Sequence, residues 1–273
     1  DKIEILNNSF IFSKSHWIAK GSKQDPIIIS GNENNNGGGI YIYDNKEKNF
    51  IKNVNFKYFV GTNSQKEQIN KNFEYFKKFN LLGSINFYNV DIHFEDILFD
   101  KILSEDALNI VSSNKFLLKN IYFKNINSDA IDVDFSTGKM INIYSHNIKN
   151  DALDFSKSNV KLKNIYVKNV GDKIISAGEN SKLIIENLYG ENSLLGIASK
   201  DGSSVKLTNY VFKNNKYNFA SYIKKNGYDS PIIKIYNNDD LEFSDKKILK
   251  DKISNVFFND IKYKLFKKNS LIL

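Results

Sequence analysis

Residues 106–202 carry one short phrase five times: Asp106-Ala-Leu-Asn, Asp129-Ala-Ile-Asp, Asp151-Ala-Leu-Asp, Asp172-Lys-Ile-Ile and Leu195-Gly-Ile-Ala. The steps between them are 23, 22, 21 and 23 residues. A second marker, an asparagine ahead of a strand-like pair, keeps step: Asn120, Asn142, Asn164, Asn187 and Asn209, spaced 22, 22, 23 and 22. Two independent markers at one period define a repeat architecture, and the period decides which residues become neighbours in space.

Between the markers lie runs such as Phe116-Leu-Leu-Lys-Asn-Ile-Tyr-Phe and Val160-Lys-Leu-Lys-Asn-Ile-Tyr-Val. Alternation of apolar and polar residues with β-branched and aromatic enrichment reads as half-buried strand. Two or three strands of about 4–5 residues, rising about 3.3 Å per residue, fill one revolution together with their bends. Neither the i, i+3, i+4 spacing of a helical repeat nor the Leu-x-x-Leu-x-Leu of a leucine-rich repeat is present. The expected fold is therefore all-β, a single-stranded right-handed parallel β-helix with coils of ~22 residues. Gly83-Ser-Ile-Asn-Phe aligns with Asp106-Ala-Leu-Asn-Ile, and Gly38-Gly-Ile-Tyr-Ile-Tyr does the same further up. One domain over 1–273 is expected, with an insertion at about 61–80 and a C-terminal cap at about 238–273.

Composition narrows the partners. Apolar residues make up 41 % of 273, enough to fill a core, and cysteine is absent, which excludes a disulfide scaffold. The net charge is +8, yet all 39 basic residues are lysine and none is arginine. Such a bias, with abundant Asn, Ile, Lys, Tyr and Phe, is what an AT-rich genome produces. The lysines are scattered singly along strands, so a nucleic-acid partner is not expected, whereas an acidic polysaccharide would suit a basic surface. No apolar run is long enough to cross a membrane as a helix. The chain begins at Asp1 in a strand-like stretch, which reads as an excised piece of a longer chain with other domains.

Stacking at the coil period, about 4.8 Å per coil, turns the repeat into columns. One outward column is expected to read Asn86, Asn109, Asp132, Asp154, Ile175, Ala198, and the next Tyr88, Val111, Asp134, Ser156, Ala177, Lys200. The inward column is expected to read Ile85, Leu108, Ile131, Leu153, Ile174, Ile197. The repeated asparagines suit an amide ladder at a bend, and the repeated Asp106, Asp129, Asp151 and Asp172 suit turn capping. Asp132, Asp134 and Asp154 differ, because carboxylates side by side on an exposed sheet are costly. They could hold Ca²⁺ as oxygen ligands, or work as a carboxyl pair in which one keeps its proton, as glycoside hydrolysis requires. Lysines balancing a solvated acidic face are the plainer alternative. Lys173 and Lys200 are candidate bases, and Asn109, Glu179, Asp201, Tyr88 and Lys224 candidate substrate contacts. Lys173 stands where earlier coils have alanine, and a pairing with Asp151 or Asp172 is its simpler fate. The three histidines are too dispersed for a zinc site.

These coils, the asparagine ladder and the aliphatic stack resemble the pectate-lyase-like right-handed parallel β-helix superfamily, over at least residues 83–225. Ser128-Asp-Ala-Ile-Asp-Val-Asp-Phe-Ser and Gly171-Asp-Lys-Ile-Ile-Ser-Ala-Gly-Glu are also similar to a bacterial group of parallel β-helix repeat proteins. The resemblance implies an extracytoplasmic protein that cleaves, epimerises or binds polysaccharide, with acidic residues, Ca²⁺ and lysine on one outward sheet. The Gly-His-Gly and Arg-Ile-Lys of polygalacturonase-type enzymes and the Asp-Pro-His-Asp of alginate-type epimerases are absent, and no arginine base exists. The expected function is that of a lyase, epimerase or hydrolase acting on an acidic or bacterial surface polysaccharide. The alternative is a non-catalytic glycan-binding or scaffold module using exposed Tyr41, Tyr43 and Tyr88.

Overall fold

In the computed structural model, which describes residues 1–61, 83–236 and 247–264, the repeat becomes a parallel β-solenoid. Each central coil is a short strand followed by a long one: Asp129–Asp134 then Thr137–Ile148, Leu153–Ser156 then Asn159–Val170, Lys173–Gly178 then Lys182–Glu191. The short strands stack into a ten-stranded sheet and the long ones into a thirteen-stranded sheet. Among the described residues the strands pair in parallel, save for Asn255–Phe258 with Ile261–Lys262, which are antiparallel. No α-helix occurs among the described residues. The expected insertion falls outside the described residues apart from its first, Gly61; of the expected cap, residues 247–264 are described.

Every long strand bends where one residue adopts the left-handed conformation. Asn120, Asn142, Asn164, Asn187 and Asn209 have φ between 55° and 60°, a region asparagine tolerates better than other side-chain-bearing residues. Each amide donates from Nδ2 to the Oδ1 below: Asn142 to Asn120 at 2.8 Å, Asn164 to Asn142 at 3.0 Å, Asn187 to Asn164 at 2.9 Å. The expected ladder is present, and it rests on Asp96. A second ladder went unread in the sequence. Asn125, Asn147, Asn169 and Asn192 also have left-handed φ and bond in series, resting on Asp100. Their spacing of 22, 22 and 23 was there to find.

Between these corners lie flat limbs whose inner faces form one core from Ile5 to Val256. Ile85, Leu108, Ile131, Leu153, Ile175 and Ile197 stack fully buried, each contributing about 1.5–3 kcal/mol. Phe56, Phe99 and Phe123 stack beside them at 5.2 and 4.9 Å. One expectation is corrected here. Leu153 pairs with Ile175 and not with Ile174, so Lys173, not Asp172, continues the column of Asp106, Asp129 and Asp151. The recurring aspartate arrives one residue early in that coil. A one-residue slip would turn Ser176 inward and Ile175 outward, so the hydrophobic pattern fixes the register. The outward columns from that coil onward therefore contain Ser176 and Gly178 in place of Ile175 and Ala177.

Candidate functional site

The ten-stranded sheet gathers six aspartates on three successive strands. Asp132 pairs in register with Asn109 on one side and Asp154 on the other, and Asp154 pairs with Ser176. Asp134 lies two residues along the same face, Asp106 and Asp129 begin their strands, and Asp151 lies just ahead of Leu153–Ser156. Carboxylate oxygens of Asp129, Asp151 and Asp154 all lie within 4.8 Å of one another. The sequence reading picked Asp132, Asp134 and Asp154; the structure joins Asp154 to two residues that had been given only turn-capping roles.

Those capping roles are also real. Asp129 accepts the Asp151 backbone N–H at 2.8 Å and the Asn150 amide at 2.6 Å. Asp151 accepts the Lys173 backbone N–H at 2.9 Å. Each aspartate thus ties its coil to the next through one oxygen. Lys173 takes the next place in this column, so it replaces an aspartate and not the expected alanine. Its Nζ lies 3.3 Å from Asp151 and also bonds Asp172.

Electrostatics separates these groups. Burial pushes Asp129 up to about 6 and Asp151 up to about 7, the latter despite Lys173. Burial, with Asp106, Asp134 and Asp154 around it, raises Asp132 well above the usual carboxylate range. Asp106 and Asp134 are raised for the same reasons, and Asn109 donates to Asp106 at 3.2 Å in partial compensation. For Lys173, burial alone would lower its pKa, but Asp151 and Asp172 reverse this and hold it above the ordinary lysine value. A lysine so paired stays a cation, the state opposite to that of a general base.

The other expected contacts divide. Asn109 belongs to the carboxylate face. Lys200 follows Asp134 by three coils, about 14 Å of sheet, and its side chain lies over Gly178, whose missing Cβ leaves the room. Asp201 is buried and accepts the backbone N–H groups of Lys224 and Lys225 at 2.6 and 2.8 Å, an anchor for that loop. Glu179 pairs with Lys225. Tyr88 is half-buried and is the register partner of Tyr43. Tyr41, expected to be exposed, is 2 % exposed, with its hydroxyl on the Gly83 carbonyl at 3.1 Å. Its strand is covered by Phe10 and Phe12, against which the ring packs. Tyr222, not foreseen, lies close enough to Lys173 and Asp151 to feel both charges.

Three carboxylates offer the oxygen ligands that Ca²⁺ or Mg²⁺ prefers. Ser176, fully buried beside Asp154, has an Oγ without a hydrogen-bond partner among the described residues. Against this, Lys173 already places a positive charge on Asp151. A groove of about 850 Å³ runs along the second asparagine ladder, lined by Asn125, Asn147 and Lys149 among others, and none of the six aspartates reaches it. Its Lys101 is engaged with Glu33 and Tyr58.

The fold and face define a class: a parallel β-solenoid protein with a carboxylate-lined sheet. Searches against protein-family models, curated proteins and solved structures each give no match. No helix among the described residues is long and apolar enough to cross a membrane.

Proposed function

We propose that this protein is a polysaccharide-active β-solenoid that cleaves glycosidic bonds at the carboxylate face, with Asp132 as proton donor and Asp154 as base or nucleophile. The observation that carries the reading is the in-register pair Asp132–Asp154, set among aspartates whose pKa values burial raises. Glycoside hydrolysis needs one carboxyl that holds its proton beside another that does not. Lys173 then serves as the cation that balances Asp151 and Asp172. Membership of the pectate-lyase-like superfamily and an extracytoplasmic location accord with this reading.

The test is turnover on a panel of neutral and acidic polysaccharides, scored for new reducing ends and for unsaturated uronate products. Asp132→Asn and Asp154→Asn should each abolish new reducing ends with little change in melting temperature. Full activity in both variants overturns the assignment, and unsaturated products would move it to a lyase. A second reading, a divalent-cation site at Asp129, Asp151 and Asp154, is favoured by their convergence and by the orphan Ser176 hydroxyl. There the cation would anchor an acidic sugar.

A further inference from the structure

The positive charge of this protein is not spread evenly. On the first limb of the thirteen-stranded sheet, Lys139 and Lys161 are register partners, and so are Lys206 and Lys234, with Ile184 between the two pairs. All four lysines are exposed. Neighbouring lysines find acids: Lys119 at 3.2 Å from Glu95, Lys163 at 3.1 Å from Glu186. The four do not, among the described residues; Lys206 and Lys234 lie instead over the rings of Tyr236 and Phe257. Like charges directly across a strand pair cost stability, and the chain has aspartates enough, yet concentrates six of them on the other sheet.

We propose that this lysine row is a docking track for a linear acidic polysaccharide laid along the solenoid axis, separate from the carboxylate face and independent of the reaction assigned to it. The row covers five coils, about 19 Å at about 4.8 Å each. A polyuronate carries one carboxylate per sugar, a repeat comparable with the coil rise, so two successive charges meet Lys139 and Lys161, one passes Ile184, and the next two meet Lys206 and Lys234. Nucleic acid fits less well. It gains from bases stacking on open aromatic faces, and the tyrosines of the next limb already stack on one another. Tyr122, Tyr144 and Tyr166 lie at 4.7 and 5.2 Å with 7° between planes, so the faces within that stack are taken.

The test measures binding of the full chain to polygalacturonate, to neutral dextran and to a single-stranded oligonucleotide, across a salt series. Polygalacturonate should bind, dextran should not, and affinity should fall steeply with salt. Lys139→Glu with Lys161→Glu should weaken polygalacturonate binding about tenfold or more. The milder Lys139→Gln with Lys161→Gln should weaken it less and melt no lower than the parent, since it relieves repulsion. Unchanged affinity in folded variants of both kinds, equal binding of dextran, or tighter binding of the oligonucleotide at matched salt overturns the proposal. Loss of turnover in the carboxylate variants with polygalacturonate binding intact leaves it standing.

Discussion

Asp151→Asn probes whether burial or the ion pair governs the carboxylate face. Asp151 is 4 % exposed, accepts the Lys173 backbone N–H at 2.9 Å and meets the Lys173 ammonium at 3.3 Å. Lys173 favours the charged form, while burial and the surrounding Asp154, Asp129 and Asp172 oppose it and win, raising Asp151 from 3.8 to about 7. Between those values the folded chain holds a proton that the unfolded chain releases. The contribution of Asp151 to stability is therefore greatest below about pH 4, falls as pH rises towards 7, and is level above. At about 1.4 kcal/mol per unit, a shift from 3.8 to about 7 corresponds to roughly 4 kcal/mol lost across that window.

Asparagine has nearly the shape of the protonated acid and can still accept the Lys173 N–H. The variant should thus match the parent in urea unfolding at about pH 3 and exceed it at about pH 8, by roughly 2–4 kcal/mol. Lys173 retains Asp172 in the variant. A variant less stable than the parent at pH 8 would refute the reasoning, because it would mean that the Asp151–Lys173 attraction exceeds the cost of burying the charge.

Other perturbations test the frame and the site. Asn164→Ala removes hydrogen bonds to Asn142 and from Asn187 at a φ of 57°, and should cost about 3 kcal/mol in chemical unfolding; Asn164→Gly, free of the left-handed penalty, should recover about 1 of these. Gly171→Ala would place a Cβ 2.0 Å from the Lys149 carbonyl oxygen and should lose at least about 2 kcal/mol. Gly178→Ala meets nothing nearer than the Lys200 side chain at 3.6 Å, an ordinary contact, so its melting temperature should hold. Added Ca²⁺ should leave the melting temperature unchanged if the carboxyls act as acid and base; a rise that Asp154→Asn abolishes would establish the cation site instead.

Most of the frame was legible in the sequence, because a repeat writes its neighbours at fixed intervals. The first asparagine ladder follows directly from the period, and so does the inward aliphatic column save at one coil, where Ile175 stands in place of the expected Ile174. What failed did so for local reasons. Asp172 mimicked the recurring aspartate one residue early, and only the alternation around Ile175 and Ser176 distinguishes the true register. Asp129 and Asp151 were read as turn residues, which their bonds to backbone N–H groups justify. Their convergence with Asp154 depends on side-chain directions at the strand starts, where simple alternation no longer applies. Tyr41 looked exposed by alternation, but a neighbouring strand contributes Phe12 as cover.

A solenoid also explains why charge here is organised in rows. In an ordinary sheet a charged residue has unlike neighbours, and repulsion is a local accident. In stacked coils of one period, the same choice made in successive repeats builds a one-dimensional array at about 4.8 Å, whether of acids or of bases. Stability alone would alternate the signs, as Lys163 with Glu186 and Lys119 with Glu95 do. The aspartates of the short sheet and the lysines of the long one forgo that alternation on separate faces of one molecule. Each array is therefore a choice repeated coil after coil against the local cost of like charge.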